Sequence, residues 1–517
     1  MDDQRFLNTL VKGAGWGFIG IIISKFLTYF YRAVVARIGP DAYGQLSLAI
    51  TVAGITGTIT IFALNTALKK YVPQFRQEND WSSVKGVVLS AAAITTALSL
   101  LGGGLMFFFA DLIARRIFQS PGLVPLLKVF ALVVPFANLS KVVNSTIKGF
   151  KQVHYNVFLV NILTSSIQIV VTLILIMMGL GVIGAAWGWA AGVVIPTLVG
   201  FWIIERKLGP IVTREVKPEY HAKELLKFSY PLLLSGIIGS ILGWTDTLLL
   251  GYYMDDAQVG FYNAALPTAA LLTVVERSFG KLSLPSMAEI SDDSEKMSWT
   301  LKTLTRWNTA AVLPGFLLMA LFSSQILHLL FGKQYVVAGT ALSILAFGKL
   351  YSASVGYLGD VIKAVDETQI FWKNSILSFF LNIGLNILLI PGFKYQGQVI
   401  IPELGITGAA LATTVSLVIM QSVILLEAYY LKGVVPFNRE TWKPVAAALV
   451  ALAATYVGLK TAFTTTPLWA LVPGAAVFGS LYVALLLVLG GVEEEDRNVF
   501  IDAANRLGRK KEAEKML

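Results

Sequence analysis

Apolar runs of about 18 or more residues recur along the whole chain, and they restrict its fold more than any other feature. A helix needs about 20 mostly apolar residues to cross the hydrocarbon core of a bilayer. Only 14% of the residues are charged, whereas soluble proteins are about 25% charged. A transmembrane β-barrel would show ~10-residue segments of alternating polarity, and we find none. The sequence therefore predicts an all-α polytopic membrane protein.

The apolar runs predict about fourteen transmembrane helices. Basic residues concentrate in alternate connecting segments, and the positive-inside rule places these segments and both chain termini in the cytoplasm. We therefore expect a multi-pass protein of the cell (plasma or inner) membrane, whose net charge of +10 reflects its cytoplasmic loops rather than nucleic-acid binding. The predicted spans are 13–37, 42–68, 84–109, 124–148, 153–178, 182–204, 228–251, 257–285, 304–330, 337–363, 370–391, 404–430, 443–463 and 466–490.

Three short motifs recur in the same order at nearly one offset, which indicates an internal duplication. The matching pairs are 42–49 with 258–265, 147–150 with 362–365, and 181–186 with 405–410. Six spans per copy is an even number, so the copies are parallel and related by a pseudo-two-fold axis along the membrane normal. The predicted domains are a six-helix lobe (1–204), a cytoplasmic inter-lobe loop (205–227), a second six-helix lobe (228–430), two extra transmembrane helices (431–491) and a cytoplasmic tail (492–517).

Several cations fall inside predicted spans, where a charge costs a few kcal/mol unless it faces a cavity or a partner. Lys25, Tyr29 and Arg32 lie on one face of the first span, because they are spaced by four and three residues. The two lobes are expected to enclose a central cavity lined by these cations. The candidate substrate-binding residues are Lys25, Tyr29, Arg32, Arg277, Lys281 and Lys349.

Snorkelling is the alternative for a lysine near a span end, because its long stem lets the ammonium group reach the interface. Lys128, Lys141 and Lys281 lie within about two helical turns of a span end. The sequence does not decide whether Lys128 and Lys141 face the cavity or snorkel. Asn138 is interpreted differently, as an interhelical hydrogen-bonding residue.

Asp246 is the acidic residue inside a span that most needs an explanation. Two interpretations stay open: a structural ion pair with a cation of the first span, and a site for a coupling ion, H⁺ or Na⁺. The chain has no cysteine and three scattered histidines, so no metal site and no cofactor are expected. It also shows no nucleophile–base pair and no paired carboxylates, so we expect a transporter rather than an enzyme.

The order of several loose motifs resembles one family over nearly the whole chain. These motifs are 38–48 (IGPDAYGQLSL), 66–73 (TALKKYVP), 259–264 (VGFYNA), 329–335 and 381–412. They resemble polysaccharide-biosynthesis flippases of the O-antigen/teichoic-acid type, in the multidrug/oligosaccharidyl-lipid/polysaccharide exporter superfamily. The resemblance implies movement of a polyprenyl-(pyro)phosphate-linked oligosaccharide from the cytoplasmic to the outer leaflet by alternating access, driven by an ion gradient.

Other cargoes remain open within the same superfamily. A peptidoglycan lipid-precursor flippase shares the fourteen-span layout and a basic cavity, and an ion-coupled multidrug antiporter shares the fold. From a different class, a membrane scaffold or channel would not need lysines in the middle of its spans. The expected partners are a polyprenyl-phosphate-linked sugar and membrane lipids, with polysaccharide assembly enzymes open and nucleic acid excluded. The identity of the sugar, the polyprenol and the coupling ion, and the oligomeric state, do not follow from the sequence.

Overall fold

The chain is almost entirely helical in a computed structural model that describes residues 24–209, 211, 215–365, 367, 369–395, 398–462 and 468–491. The main helices, with their π-helical turns included, are α1 (24–36), α2 (Pro40–Ile61), α3 (Leu64–Gln77), α4 (Trp81–Phe108), α5 (Leu123–Gly149), α6 (Val153–Met177), α7 (Gly181–Leu208), α8 (Ala222–Tyr253), α9 (Asp256–Ala269), α10 (Thr273–Glu289), α11 (Ser294–Leu321), α12 (Ser323–Phe331), α13 (Gly339–Val355), α14 (Leu358–Ala364), α15 (Gln369–Leu389), α16 (Gly405–Lys432), α17 (Trp442–Ala462) and α18 (Leu471–Val488). Short turns lie at Ala110–Leu112, Ile113–Ile117, Ala270–Leu272, Lys333–Ala338, Arg439–Thr441 and Leu468–Ala470.

Many of these helices are long and apolar enough to span a membrane. Within the described ranges, 10 helices meet that criterion, and a bent pair, α11 with α12, brings the number to 11. The two helices of that pair meet at an angle of 85°. The predicted all-α polytopic membrane fold is confirmed, and the number of fourteen spans stays a prediction.

Four spans predicted as continuous helices are broken, one of them (337–363) by the turn at residues 356 and 357 between α13 and α14. Span 42–68 divides at Phe62 and Ala63, whose φ angles of 53° and 54° lie in the left-handed region. Neither residue type favours that conformation, so the sequence carries no signal for the break. Span 257–285 is interrupted by the 3₁₀ turn Ala270–Leu272, and span 304–330 by the bend after α11. Hydropathy cannot show such breaks, because the residues on either side remain apolar.

Contacts divide the described residues into two compact units. Unit 1 contains the described residues up to Ala264, with Leu330–Tyr335 and Asn386–Ala409. Its main apolar core packs α3, α4 and α5 together and includes Leu64, Val87 and Ile147, each fully buried. Unit 2 contains Ala265–Leu329, Val336–Leu385 and the described residues from Ala410 onward. The predicted lobe boundary at 205–227 stays a prediction.

A short hairpin and a docked linker complete unit 1. Strands β1 (Phe393–Tyr395) and β2 (Gln398–Ile401) pair antiparallel where the sequence predicted only a loop between helices. The segment before α8 docks on α4, because the amide of Glu219 donates to the carbonyl of Ser82 at 3.1 Å. A Cβ atom on Gly86 would overlap the Glu219 backbone, so a glycine is needed where this segment crosses α4.

Helices α2 and α9 approach each other most closely at two glycines of unit 1. A Cβ atom on Gly44 would overlap the backbone oxygen of Asp256, and one on Gly260 would overlap that of Pro40. The same Cβ atoms would lie 3.0 Å from the Gly260 nitrogen and 3.2 Å from the Gly44 nitrogen, respectively. The two glycines occupy matching positions in the predicted repeat, and their reciprocal contact fits that duplication.

Candidate functional site

Helix α1 carries the three predicted site residues of the first span. It is a regular helix over 24–36, so Lys25, Tyr29 and Arg32 share one face, as the spacing predicted. The Lys25 side chain is exposed, whereas the Tyr29 and Arg32 side chains are partly buried. Lys25 is therefore the cation of this face that is most accessible.

Arg32 takes part in a hydrogen-bond network that connects three elements of unit 1. Its Nη1 donates to the Tyr43 hydroxyl at 3.0 Å and to the Asn263 carbonyl at 3.4 Å, and the Tyr43 hydroxyl donates to the same carbonyl at 3.2 Å. Tyr335 joins this region by donating to the Ala36 carbonyl at 3.0 Å. Arg32 thus ties α1 to the start of α2 and to α9, a structural role that the sequence did not predict.

Asp246 is buried in unit 1, with 8% of its surface exposed, and it accepts hydrogen bonds from two neutral side chains. The Tyr262 hydroxyl of α9 donates to Oδ2, and Nδ2 of Asn386 on α15 donates to Oδ1 at 2.8 Å. Next to it, Nδ2 of Asn263 donates to the Thr247 hydroxyl at 3.2 Å. Three helices, α8, α9 and α15, therefore bring polar side chains together around one carboxylate of a helix that is long enough to span a membrane.

Sequence reasoning identified Asp246 but missed Tyr262 and Asn386. Asn386 could have been noticed as a polar side chain in an apolar span. Its partner Asp246, however, lies 140 positions away along the chain, so the sequence does not show that the two residues meet. Burial makes it easier for a carboxyl group to take up a proton, and carboxylate oxygens beside a phenol oxygen suit a hard cation such as Na⁺. Among the described residues, no group of three or more His, Asp or Glu side chains is arranged to hold a metal ion.

The remaining predicted cations belong to unit 2. Lys349 lies on α13 and is partly buried. Arg277 and Lys281 lie on α10, and their side chains are outside the described residues. The residues of α1 belong to unit 1, so the prediction of one common cavity for all six residues stays a prediction.

A buried arginine was absent from the sequence-based candidates. Arg306 on α11 is only 2% exposed and belongs to unit 2. Asn308, two residues further on, donates to the Ala353 carbonyl at 2.6 Å, and Thr309 donates to the Ser354 hydroxyl at 3.3 Å. These bonds join α11 to α13 through polar side chains. Arg306 was missed because it lies at the edge of the predicted span 304–330.

The two lysines of α5, for which the sequence did not decide between a cavity-facing and a snorkelling position, have different surroundings in the structure. Lys128 is exposed, and its ammonium group lies 5.5 Å from the centre of the Phe107 ring. Lys141 is partly buried and donates to Oδ1 of Asn138 at 3.0 Å. Asn138 also donates to hydroxyl groups on α2 and α4, which confirms it as an interhelical hydrogen-bonding residue.

Comparisons with known proteins point to one group of membrane proteins. A family model described as "Polysaccharide biosynthesis protein" matches residues 34–339. The chain is 24% identical over 492 residues to the probable low-salt glycan biosynthesis flippase Agl15 of Haloferax volcanii, and the alignment covers 94% of each protein.

Solved structures show a similar fold. The lipid II flippase MurJ in its inward closed conformation aligns with a TM-score of 0.69 at 16% identity, covering 91% of this chain and 98% of that one. An inward-facing multidrug resistance transporter of the MATE family aligns with a TM-score of 0.64 at 16% identity, covering 79% and 94%. At this level of identity the two structures support the fold alone.

Proposed function

Because the chain belongs to the polysaccharide biosynthesis protein family, whose model matches more than half of it, we propose that it is a flippase for a polyprenyl-(pyro)phosphate-linked oligosaccharide. Transport would run from the cytoplasmic to the outer leaflet by alternating access. The observation that carries this proposal is the similarity to a probable glycan flippase over 94% of both chains. The named relatives are transporters and flippases, and we propose that this chain is likewise not an enzyme.

The cations at membrane depth support an anionic cargo. Lys25 in unit 1 and Lys349 in unit 2 would each attract phosphate oxygens in a low-dielectric environment, where charge-assisted hydrogen bonds are strong, and Arg32 would add positive charge to the face of Lys25. Tyr29 shares the face of Lys25 and offers a hydroxyl group to the sugar. The polyprenyl tail would remain in the lipid, and polysaccharide assembly enzymes on the cytoplasmic side would supply the cargo.

A cargo comparison in proteoliposomes tests the proposed function. The purified protein is reconstituted, and flipping is measured for a polyprenyl-diphosphate-linked oligosaccharide, for lipid II and for a cationic drug. We expect flipping of the oligosaccharide lipid at a rate well above that of empty vesicles. Preferred transport of lipid II would establish the peptidoglycan-precursor alternative, and preferred transport of the drug would establish the antiporter alternative.

Asp246 is proposed as the site of the coupling ion, H⁺ or Na⁺. Replacing it by asparagine keeps the shape of the side chain but removes its negative charge. We expect Asp246→Asn to abolish the dependence of the flipping rate on pH or on the Na⁺ gradient. Glu427→Gln is a matched control, because Glu427 is also a carboxylate of a membrane-length helix and its bond from Asn374 survives the change. An unaltered ion dependence in Asp246→Asn would instead support a purely structural carboxylate.

The orientation of the chain, with both termini in the cytoplasm of the plasma or inner membrane, is also proposed. The natural sequence has no cysteine, so single cysteines can be introduced without removing others. Asp255 and Lys217 both have exposed side chains in connecting segments. In intact cells, we expect a membrane-impermeant maleimide to label Asp255→Cys but to label Lys217→Cys only after permeabilisation. The opposite pattern would reverse the proposed orientation.

A further inference from the structure

Lys141 does not reach towards the nearer end of its helix. It lies eight residues before the last residue of α5, Gly149, a distance of about 12 Å along the helix axis. Its ammonium group is bonded to Asn138, which precedes it in the helix and lies further from that end. The side chain is therefore directed away from the end to which a snorkelling lysine would extend.

The orientation of Asn138 is fixed by two other helices. Its Nδ2 donates to the Thr60 hydroxyl oxygen of α2 at 2.8 Å and to the Ser99 hydroxyl oxygen of α4 at 2.9 Å. The side chain is fully buried, so these bonds determine which way the amide points. Its carbonyl oxygen is left to accept from Lys141, and the ammonium group is held in one place before any ligand arrives.

Helix α2 leaves space beside this ammonium group. A Cβ atom on Gly57 would lie 3.6 Å from the Lys141 nitrogen and 3.4 Å from the Asn138 oxygen. Larger side chains at this position would crowd the amine. Lys141 also keeps part of its surface exposed, so a ligand can reach it.

The charge of Lys141 is poorly compensated within the part of the chain that the structure describes. There, its hydrogen bond goes to the neutral amide of Asn138, and no carboxylate forms an ion pair with it. A cation at membrane depth costs a few kcal/mol, and a neutral acceptor offsets only part of that cost. An anion from outside the protein would complete the site.

We propose that Lys141, positioned by Asn138, binds a phosphate or diphosphate group of the cargo. The assignment rests on the proposed function for the identity of the cargo, but the site itself is defined by unit 1 alone. A lysine ammonium group is a compact charge that binds phosphate oxygens well. It adds a binding residue on α5 to the candidates on α1.

Binding of defined probes to the full-length protein in nanodiscs tests this site. The probes are geranylgeranyl diphosphate, uncharged geranylgeraniol and inorganic pyrophosphate. We expect Lys141→Gln to weaken binding of geranylgeranyl diphosphate by about tenfold or more, while binding of geranylgeraniol is unchanged. Lys128→Gln is the matched control on the same helix and should bind like the natural protein. Equal affinity of Lys141→Gln and the natural protein for geranylgeranyl diphosphate would overturn the proposal.

Asn138→Asp provides a second variant that keeps the lysine. Its carboxylate would pair with the ammonium group, so the protein should fold while its affinity for geranylgeranyl diphosphate falls as in Lys141→Gln. Natural affinity in this variant would also overturn the proposal. A loss of pyrophosphate binding in both variants would show that the phosphate group is recognised without the tail.

The two proposals fail in different ways. If the protein flips no lipid-linked oligosaccharide but binding of the diphosphate still depends on Lys141, the proposed function is wrong and the anion site stands. If flipping is observed and neither variant changes binding or flipping, the anion site is wrong and the function stands.

Discussion

Replacing Lys25 by alanine is expected to reduce flipping of a polyprenyl-diphosphate-linked oligosaccharide by at least about tenfold. A hydrogen bond to a charged group contributes about 1.5–3 kcal/mol, which corresponds to a factor of about 10 to 150 in rate or affinity. The Lys25 side chain is exposed, so its removal opens no cavity in the core and the protein should remain folded. The measurement is the initial flipping rate in proteoliposomes, with the amount of monodisperse protein checked for each variant.

Lys128→Ala is the control for this experiment. Lys128 is also an exposed lysine of unit 1, but it packs against Phe107 rather than on the face of Tyr29 and Arg32. We expect its flipping rate to stay within about twofold of the natural rate, since Lys128 lies off the candidate face, and the loss of a cation–π contact of about 0.5–1 kcal/mol is too small to unfold the protein. Natural activity in Lys25→Ala would remove Lys25 from the candidate site.

Arg32→Ala should behave differently from Lys25→Ala. The guanidinium group of Arg32 donates to the Tyr43 hydroxyl and to the Asn263 carbonyl, so its loss removes one donor from each of two buried residues and leaves the carbonyl with the Tyr43 hydroxyl alone. A drop in thermal stability should therefore accompany any loss of transport in this variant. The two residues share one helical face, but the structure gives them different roles.

The length of an apolar run is a good predictor of helix position in a membrane protein. Helix α5 covers Leu123–Gly149 where 124–148 was predicted, and α16 covers Gly405–Lys432 where 404–430 was predicted. Both follow from the length that a hydrocarbon core requires. The all-α membrane fold could therefore be predicted from the sequence with only elementary physical chemistry.

Side-chain partners could not be predicted in the same way. The ligands of Asp246 come from α9 and α15, and no local pattern relates Asn386 to it. Lys128 and Lys141 are the same residue type on one helix, yet only Lys141 bonds to a buried amide, that of Asn138, which hydroxyl groups of α2 and α4 hold in place. Hydropathy fixes depth in the membrane, whereas a site depends on which faces of distant helices meet.

Replacing Gly44 or Gly260 by alanine is expected to cause a large loss of stability for so small a substitution. Each new Cβ atom would overlap a backbone oxygen of the opposite segment, and backbone atoms cannot rotate away as a flexible side chain can. Overpacking of this kind costs about 1–3 kcal/mol. The thermal unfolding temperature of the purified protein in detergent measures the effect.

Gly239→Ala is the matched control on α8. A Cβ atom at this position would meet no atom within 4 Å, and the residue lies in the middle of a helix. Alanine favours a helix over glycine by up to about 1 kcal/mol, so this variant should be as stable as the natural protein or slightly more stable. A loss of stability equal to that of Gly44→Ala would show that the effect at Gly44 is not caused by the helix crossing.

The double variant Gly44→Ala/Gly260→Ala tests whether the two glycines form one contact. Either substitution alone would push α2 and α9 apart, and the space so created would accept much of the second Cβ atom. Residues in contact show coupling energies of about 0.5–3 kcal/mol, whereas distant sites add independently. We therefore expect the double variant to lose less stability than the sum of the two single variants. A strictly additive loss would mean that each segment absorbs its own Cβ atom locally, and the reciprocal glycine contact would then not set the distance between α2 and α9.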